Sequence, residues 1–108
     1  MNIAAVGFCC MDIYEGLGKS YPTGNGINVV IHLSRRGIKT SAVCGVGDDG
    51  YGKQMLELLS GCGVDVSHSR PRPGETSCFF MEITPEGDRV HLKNVPGVME
   101  HYRLSEED

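Results

Sequence analysis

A chain of 108 residues, 40% hydrophobic and 22% charged, has material for one compact domain of ordinary soluble composition. Its formal net charge of -4 argues against a nucleic-acid partner, because phosphate binding needs a surplus of Lys and Arg, and Arg70, Arg72 and Arg89 are too scattered to form a basic stripe. No apolar run approaches the roughly 20 residues needed to span a bilayer, so no membrane partner is expected.

The five cysteines, Cys9, Cys10, Cys44, Cys62 and Cys78, are odd in number and include no CxxC pair. Neither a disulfide framework nor a zinc knuckle is indicated, and a reducing compartment is expected. The start, MNIAAVGFCC, lacks the basic region of a signal peptide, which points to a cytoplasmic protein. The 15 glycines are about twice the usual share of roughly 7%. They lie at breaks between apolar runs, as tight turns require.

Ile3 to Val6 is a continuous apolar run ending at Gly7, the pattern of a strand buried on both faces. Asp12-Ile13-Tyr14 follows a brief loop, and EGLGKSYPTGNG is turn-rich. Asn25 is expected to cap a helix whose Ile27, Val30 and Ile31 share one face. Arg35 and Arg36 suit its C-terminus and Gly37 its left-handed ending. Lys39 to Cys44 reads as a second buried strand. Asp49 is expected to cap a second helix, in which Tyr51, Met55 and Leu59 recur at four-residue spacing and which ends near Gly61-Cys62-Gly63. Val64 to Val66 reads as a third strand. The order β-α-β-α-β predicts an α/β fold with a parallel sheet.

After Val66 the character changes. Pro71 and Pro73 exclude helix or central strand. Thr76 to Thr84 reads as extended, Pro85 to Asp88 as a turn and Arg89 to Leu92 as a strand, which together make an appended hairpin. In the final LSEED, Leu104 can pack inward, Ser105 can cap a new helix, and Glu106, Glu107 and Asp108 favour its N-terminus. The expectation is a chain that stops within its domain.

Several residue groups could carry chemistry. GVGDDG, 45–50, matches the GxGxxG spacing of a dinucleotide site, and Asp65 stands where that fingerprint wants an acid. Asp48 and Asp49 would lie against a diphosphate, so a tight turn with an aspartate cap fits better. Asp12, expected just beyond the first strand, can accept hydrogen bonds from sugar hydroxyls or simply bond its own turn. In Gly24-Asn25-Gly26-Ile27-Asn28 the two amides suit a polyol, although both asparagines could instead cap the helix. Cys9 and Cys10 are expected to pack rather than react, with nothing nearby to lower a thiol pKa. His32, His68, His91 and His101 share no metal-ligand spacing and read as surface or hairpin residues, so no metal site is expected. The apolar Cys78-Phe79-Phe80-Met81 run reads as packing or as a dimer contact.

With these residues in view, the chain resembles the N-terminal part of the PfkB (ribokinase-like) carbohydrate kinases, and within them is most similar to fructoselysine 6-kinases. The resemblance is carried by IAAVGFCCMDIYEGLGKSYP, TGNGINVVIHLSRRGIKT, VGDDGYGKQM, GVDVSHS, and GDRV with GVMEHYRLSEED. It implies a ribokinase-like parallel-sheet core over 1–67 with a small β-sheet lid from about 12–22 and 76–95, incomplete relative to the family. Asp12 matches the aspartate that holds substrate hydroxyls, Gly24 and Asn28 match the glycine-rich sugar-binding stretch, and Asn25 lies within it. Gly47, Asp49 and Gly52 match a structural turn, which removes the need for a nicotinamide cofactor.

The substrate implied is a fructosamine or related small sugar. ATP and Mg2+ are the expected cofactors of the whole family enzyme. The family's catalytic aspartate and anion hole, in a GAGD-type stretch, lie beyond residue 108. No catalytic residue is therefore assigned, and the chain is not expected to turn over alone. Two positions depart from the family pattern. Thr23 replaces a usual glycine and tolerates positive φ badly, while Phe8 and Cys9 replace polar residues beside Asp12. Two other readings stand beside this one: a non-catalytic sugar-binding module that forms homodimers through the lid sheet, and a dinucleotide-binding half-domain.

Overall fold

The computed structural model describes residues 2–103, and two sheets organise them. The first is parallel, with strands β1 (Asn2–Gly7), β4 (Lys39–Cys44) and β5 (Val64–Asp65) in the order β1-β4-β5. Helices α1 (Asn25–Ser34) and α2 (Gly50–Gly61) connect them. The second sheet has the order β3-β2-β6-β7, built from β2 (Cys10–Tyr14), β3 (Lys19–Thr23), β6 (Cys78–Ile83) and β7 (Arg89–Val95). It consists of two antiparallel hairpins joined by a parallel pairing of β2 with β6. The second hairpin is longer than its sequence reading, since β7 continues past Leu92 to Val95.

The first strand is not buried on both faces. Its side chains alternate between exposed and half-buried, and Val6 is 56% exposed. The reason is topological: among the described residues β1 pairs with β4 alone and so forms a sheet edge. α1 covers one face, where Gly26 lies so close to Ala5 that an added Cβ would be 3.0 Å from the Ala5 Cβ. β4 is the central strand, and its Ala42, Val43 and Cys44 are buried.

The helical faces follow the apolar spacing. Ile27 and Val30 of α1 and Met55 and Leu59 of α2 are buried in one core with Ala42, Val46 and Val64. Each of these side chains larger than alanine contributes roughly 1.5–3 kcal/mol of transfer free energy. α1 starts differently from its sequence reading. Gly24, at φ 137, is the N-cap, and Asn25 is the first helical residue with no side-chain cap bond. A turn that enters the helix through that backbone conformation requires glycine, which displaces asparagine from the capping role. Gly37, at φ 83, closes the far end.

Asp12 is not a loop residue at the mouth of the first sheet. It lies within β2, opposite Tyr21 of β3 and Phe79 of β6. The turn-rich segment after it is a hairpin whose bend is a short 3-10 turn, Glu15–Leu17. Residues Leu104 to Asp108, read as a helix start, lie outside the described residues. Among the described residues no helix is long and apolar enough to cross a membrane.

Candidate functional site

A cleft of about 760 Å³ opens between one face of the second sheet and the start of α1. Strand alternation assigns its floor. Cys10 and Asp12 alternate along β2, Phe79 and Met81 along β6, and Arg89 and His91 along β7, and all six line the cleft. Phe8, Thr23 at the end of β3, Gly24 and Asn25 complete the lining. Phe79 sits at the centre: its ring lies 6.0 Å from that of Phe8 and meets the His91 ring edge-on at 5.2 Å.

The register of β7 decides which of its side chains enter. Phe80 stands opposite Lys93 and Met81 opposite His91, so Leu92 is an extra, unpaired residue. Such a bulge shifts the alternation by one position. Lys93 therefore lies over Phe80 on the other face, at 4.5 Å, while His91 and Arg89 turn toward Phe79 and Met81.

The electrostatics of the floor are mixed in sign. Burial holds the Asp12 carboxyl above the usual carboxylate value, and the positive charges of Arg89 and His91 pull it partly back. The Arg89 guanidinium is itself raised by a hydrogen bond with Tyr14 and by its charge. A half-buried carboxylate beside Phe79 in the strand register is suited to accept hydrogen bonds from neutral hydroxyls.

The model of the pfkB family carbohydrate kinases matches residues 11–107. The chain belongs to this family. Among curated proteins it is 39% identical to the fructoselysine 6-kinase of Escherichia coli over 107 residues, covering 99% of this chain and 41% of that protein. It is 29% identical to the fructosamine kinase FrlD of Bacillus subtilis over 106 residues, covering 97% of this chain and 37% of that one. The chain thus spans about two fifths of the curated relatives it matches. In fold it resembles the fructokinase of Vibrio cholerae, with a TM-score of 0.76 at 22% identity, over 87% of this chain and 33% of that one. It also resembles a sugar kinase of Pyrococcus horikoshii solved with ATP, with a TM-score of 0.69 at 25% identity, over 83% and 33%.

Within this PfkB chain, the residues singled out from the sequence separate into three groups. Asp12, Gly24 and Asn25 come together in the cleft. Asn28 does not line it and is exposed on α1, its N–H bonded to the Gly24 carbonyl at 2.9 Å. Gly24 is needed for packing as well as for its φ, because an added Cβ would lie 2.8 Å from the Phe8 carbonyl oxygen. Thr23 introduces no strain, since among the described residues only glycines have positive φ.

Gly47, Asp49 and Gly52 form the third group, a turn remote from the cleft. Asp49 accepts hydrogen bonds from the Gly52 N–H at 2.8 Å, the Thr76 N–H at 2.9 Å and the Thr76 hydroxyl at 2.6 Å. Burial alone would raise its carboxyl, but these bonds outweigh it and hold the group below the usual range. A Cβ on Gly47 would overlap the Gly74 carbonyl oxygen, and one on Gly52 would overlap that of Gly47. The Gly47 N–H is bonded to the Thr76 hydroxyl at 2.9 Å and the Asp48 N–H to the Gly74 carbonyl at 3.2 Å. With those amides engaged internally and two carboxylates beside them, this turn does not fit a nucleotide phosphate.

Sequence reasoning missed Arg89, His91, Met81 and Phe79 as members of the site. Their signal lay in the alternation along the hairpin, which the bulge conceals. It also treated the cysteines as chemically isolated. Cys9 and Cys44 are hydrogen-bonded neighbours in the core, and the Cys9 thiol also donates to the Gly45 carbonyl at 3.2 Å. Their bond, with burial, pushes the Cys9 thiol far up, while the same bond lowers Cys44. The five thiols are free, and all but the half-buried Cys62 are buried. The Cys78-to-Met81 run is divided between faces: Cys78 is buried, Phe79 and Met81 face the cleft, and Phe80 packs on the core side.

Proposed function

We propose that this chain forms the sugar-binding cleft and lid of an ATP-dependent kinase that phosphorylates a fructosamine of the fructoselysine type. The observation that carries the reading is the cleft in which Asp12, Gly24 and Asn25 converge under the second sheet. The 39% identity to a fructoselysine 6-kinase supports the choice of sugar.

In this reading the Asp12 carboxylate accepts hydrogen bonds from two neighbouring hydroxyls of the sugar. The Asn25 amide, with donors and an acceptor, reads further hydroxyls from the helix side. The Phe79 ring offers an apolar surface to the C–H face of the sugar. The second sheet lies over the substrate as the lid and limits its exposure to water. ATP would supply the phosphoryl group and Mg2+ its charge neutralisation. Among the described residues no group of His, Cys, Asp or Glu is arranged to hold a metal. In this reading the chain holds the sugar, and no transfer step is assigned to it.

Calorimetric titration of fructoselysine into the purified 108-residue chain tests the reading. Saturable binding of the sugar, with none of a nicotinamide dinucleotide, is expected. Absence of sugar binding overturns the reading. Sugar-dependent ATP consumption by this chain alone would contradict its restriction to the sugar half.

A second reading adds an assembly. Leu17 and Leu92, 55% and 59% exposed, flank a smaller hollow of about 310 Å³ beside Phe80 on the second sheet. A homodimer through this lid sheet would cover them. Sedimentation at rising concentration checks it, and persistent monomer rejects it.

A further inference from the structure

We propose that Arg89 and His91 form an anion subsite that selects a sugar whose substituent carries a carboxylate. The proposal rests on the sugar-binding reading above and adds to it which part of the substrate is read by the lid. Its first support is the bulge. With unbroken alternation Leu92 would face the cleft opposite Met81, while His91 and Arg89 would point to the other side. One unpaired residue thus exchanges a leucine for two nitrogen donors at the site. Bulges commonly re-aim side chains beside functional sites in this way.

The second support is placement. Arg89 and His91 come from β7, the strand at the outer edge of the sheet, whereas Asp12 comes from β2, two strands away. Phe79 of the intervening strand separates them, and its ring holds the His91 ring edge-on at 5.2 Å. A sugar over Asp12 would direct its substituent across Phe79 toward Arg89 and His91. A guanidinium has five N–H donors in a fork that matches a carboxylate. Tyr14 on β2 is a hydrogen-bond partner of Arg89.

The third support is charge balance. Asp12 and Asp88 put carboxylates in the cleft with Arg89 and His91. A sugar joined through an amine to an amino acid has a cationic nitrogen and an anionic carboxylate, and this cleft offers a partner for each.

The test compares two ligands by calorimetry on the 108-residue chain: fructosyl-glycine, and the corresponding amino-deoxyfructose that lacks the carboxylate. Fructosyl-glycine should bind roughly tenfold or more tightly, as expected for a charge-assisted pair. Arg89→Gln should lower fructosyl-glycine affinity far more than that of amino-deoxyfructose and so abolish the preference, and 0.5 M added salt should narrow the preference in the unaltered chain. Deletion of Leu92, with folding verified by circular dichroism, should also remove the preference by turning both side chains away. Equal binding of the two ligands, or an equal loss for both on Arg89→Gln, overturns the subsite and leaves the sugar reading standing. Binding of neither ligand overturns both.

Discussion

Asp49→Ala should destabilise the fold more than any other single change in the glycine-rich turn. Removing the carboxylate deletes the N-cap bond to Gly52 at 2.8 Å, for which about 1 kcal/mol is typical. It also strands the Thr76 N–H, bonded at 2.9 Å, on a residue with no exposed surface, which adds about 1–3 kcal/mol. The Thr76 hydroxyl loses Asp49 but retains the Gly47 N–H at 2.9 Å. The total is about 2–4 kcal/mol, a large share of the roughly 5–15 kcal/mol that holds a domain together. Urea unfolding followed by far-ultraviolet circular dichroism measures it, as a lower midpoint at unchanged slope. Asp48→Ala is the control. Its exposed side chain accepts one bond, from the Gly74 N–H at 3.1 Å, and its loss should be below about 1 kcal/mol.

The pH dependence provides a second check on the same residue. Burial raises the Asp49 carboxyl, but the Thr76 and Gly52 bonds outweigh it and leave the folded value below the ordinary 3.8. A group depressed on folding contributes stability above its unfolded pKa and loses it as pH falls through the folded one. The gap between the unaltered chain and Asp49→Ala should be complete above about pH 5 and close progressively on acidification below that ordinary value. Equal midpoints for the Asp48 and Asp49 variants, or a gap that widens in acid, would refute the reasoning.

Asp12→Asn should weaken sugar affinity by about 1.5–3 kcal/mol, roughly tenfold or more, in the same calorimetric assay. Because burial raises the Asp12 carboxyl, the folded state disfavours its charge, and thermal melts at pH 7 should show stability unchanged or raised. A lowered melting temperature with unchanged affinity would make Asp12 a structural residue only. Gly24→Ala forces a side chain onto φ 137 and against the Phe8 carbonyl, so about 1–3 kcal/mol should be lost in urea, together with sugar binding. Thr40→Val replaces a buried hydroxyl without a partner among the described residues by a methyl group of the same shape. It should be neutral or stabilising by up to about 1 kcal/mol in the same unfolding experiment, and a larger loss would reveal a partner for the hydroxyl.

Local signals were readable wherever the structure they specify is local. The apolar stripe of α1, the Asp49 cap and the boundaries of β4 depend on residues a few positions apart, and they stand as the sequence indicates. Asp12 was misplaced because β2 is a strand by virtue of partners remote in sequence: Met11 pairs with Cys78, and Asp12 with Phe79. Nothing within CMDIY signals that pairing. Burial of β1 was overestimated for a related reason, since composition marks a strand but does not count its neighbours. Asn25 was expected as the cap because its side chain suits that position, and only the observed backbone angle of Gly24 shows that glycine takes it. The β7 side of the cleft was hidden because one unpaired residue, Leu92, puts the alternation of Arg89 and His91 out of step with that of Lys93.

The parallel pairing of β2 with β6 also determines the order in which the molecule can be made. Those strands flank, in the chain, both helices and two of the three strands of the first sheet. Their pairing closes a loop containing most of the core, and such distant contacts form slowly because closure entropy precedes their reward. The α1–β4–α2 region can gain its helical signal early, while the cleft is completed only when the ends of that loop meet. Recovery of ligand binding should therefore lag recovery of helicity during refolding.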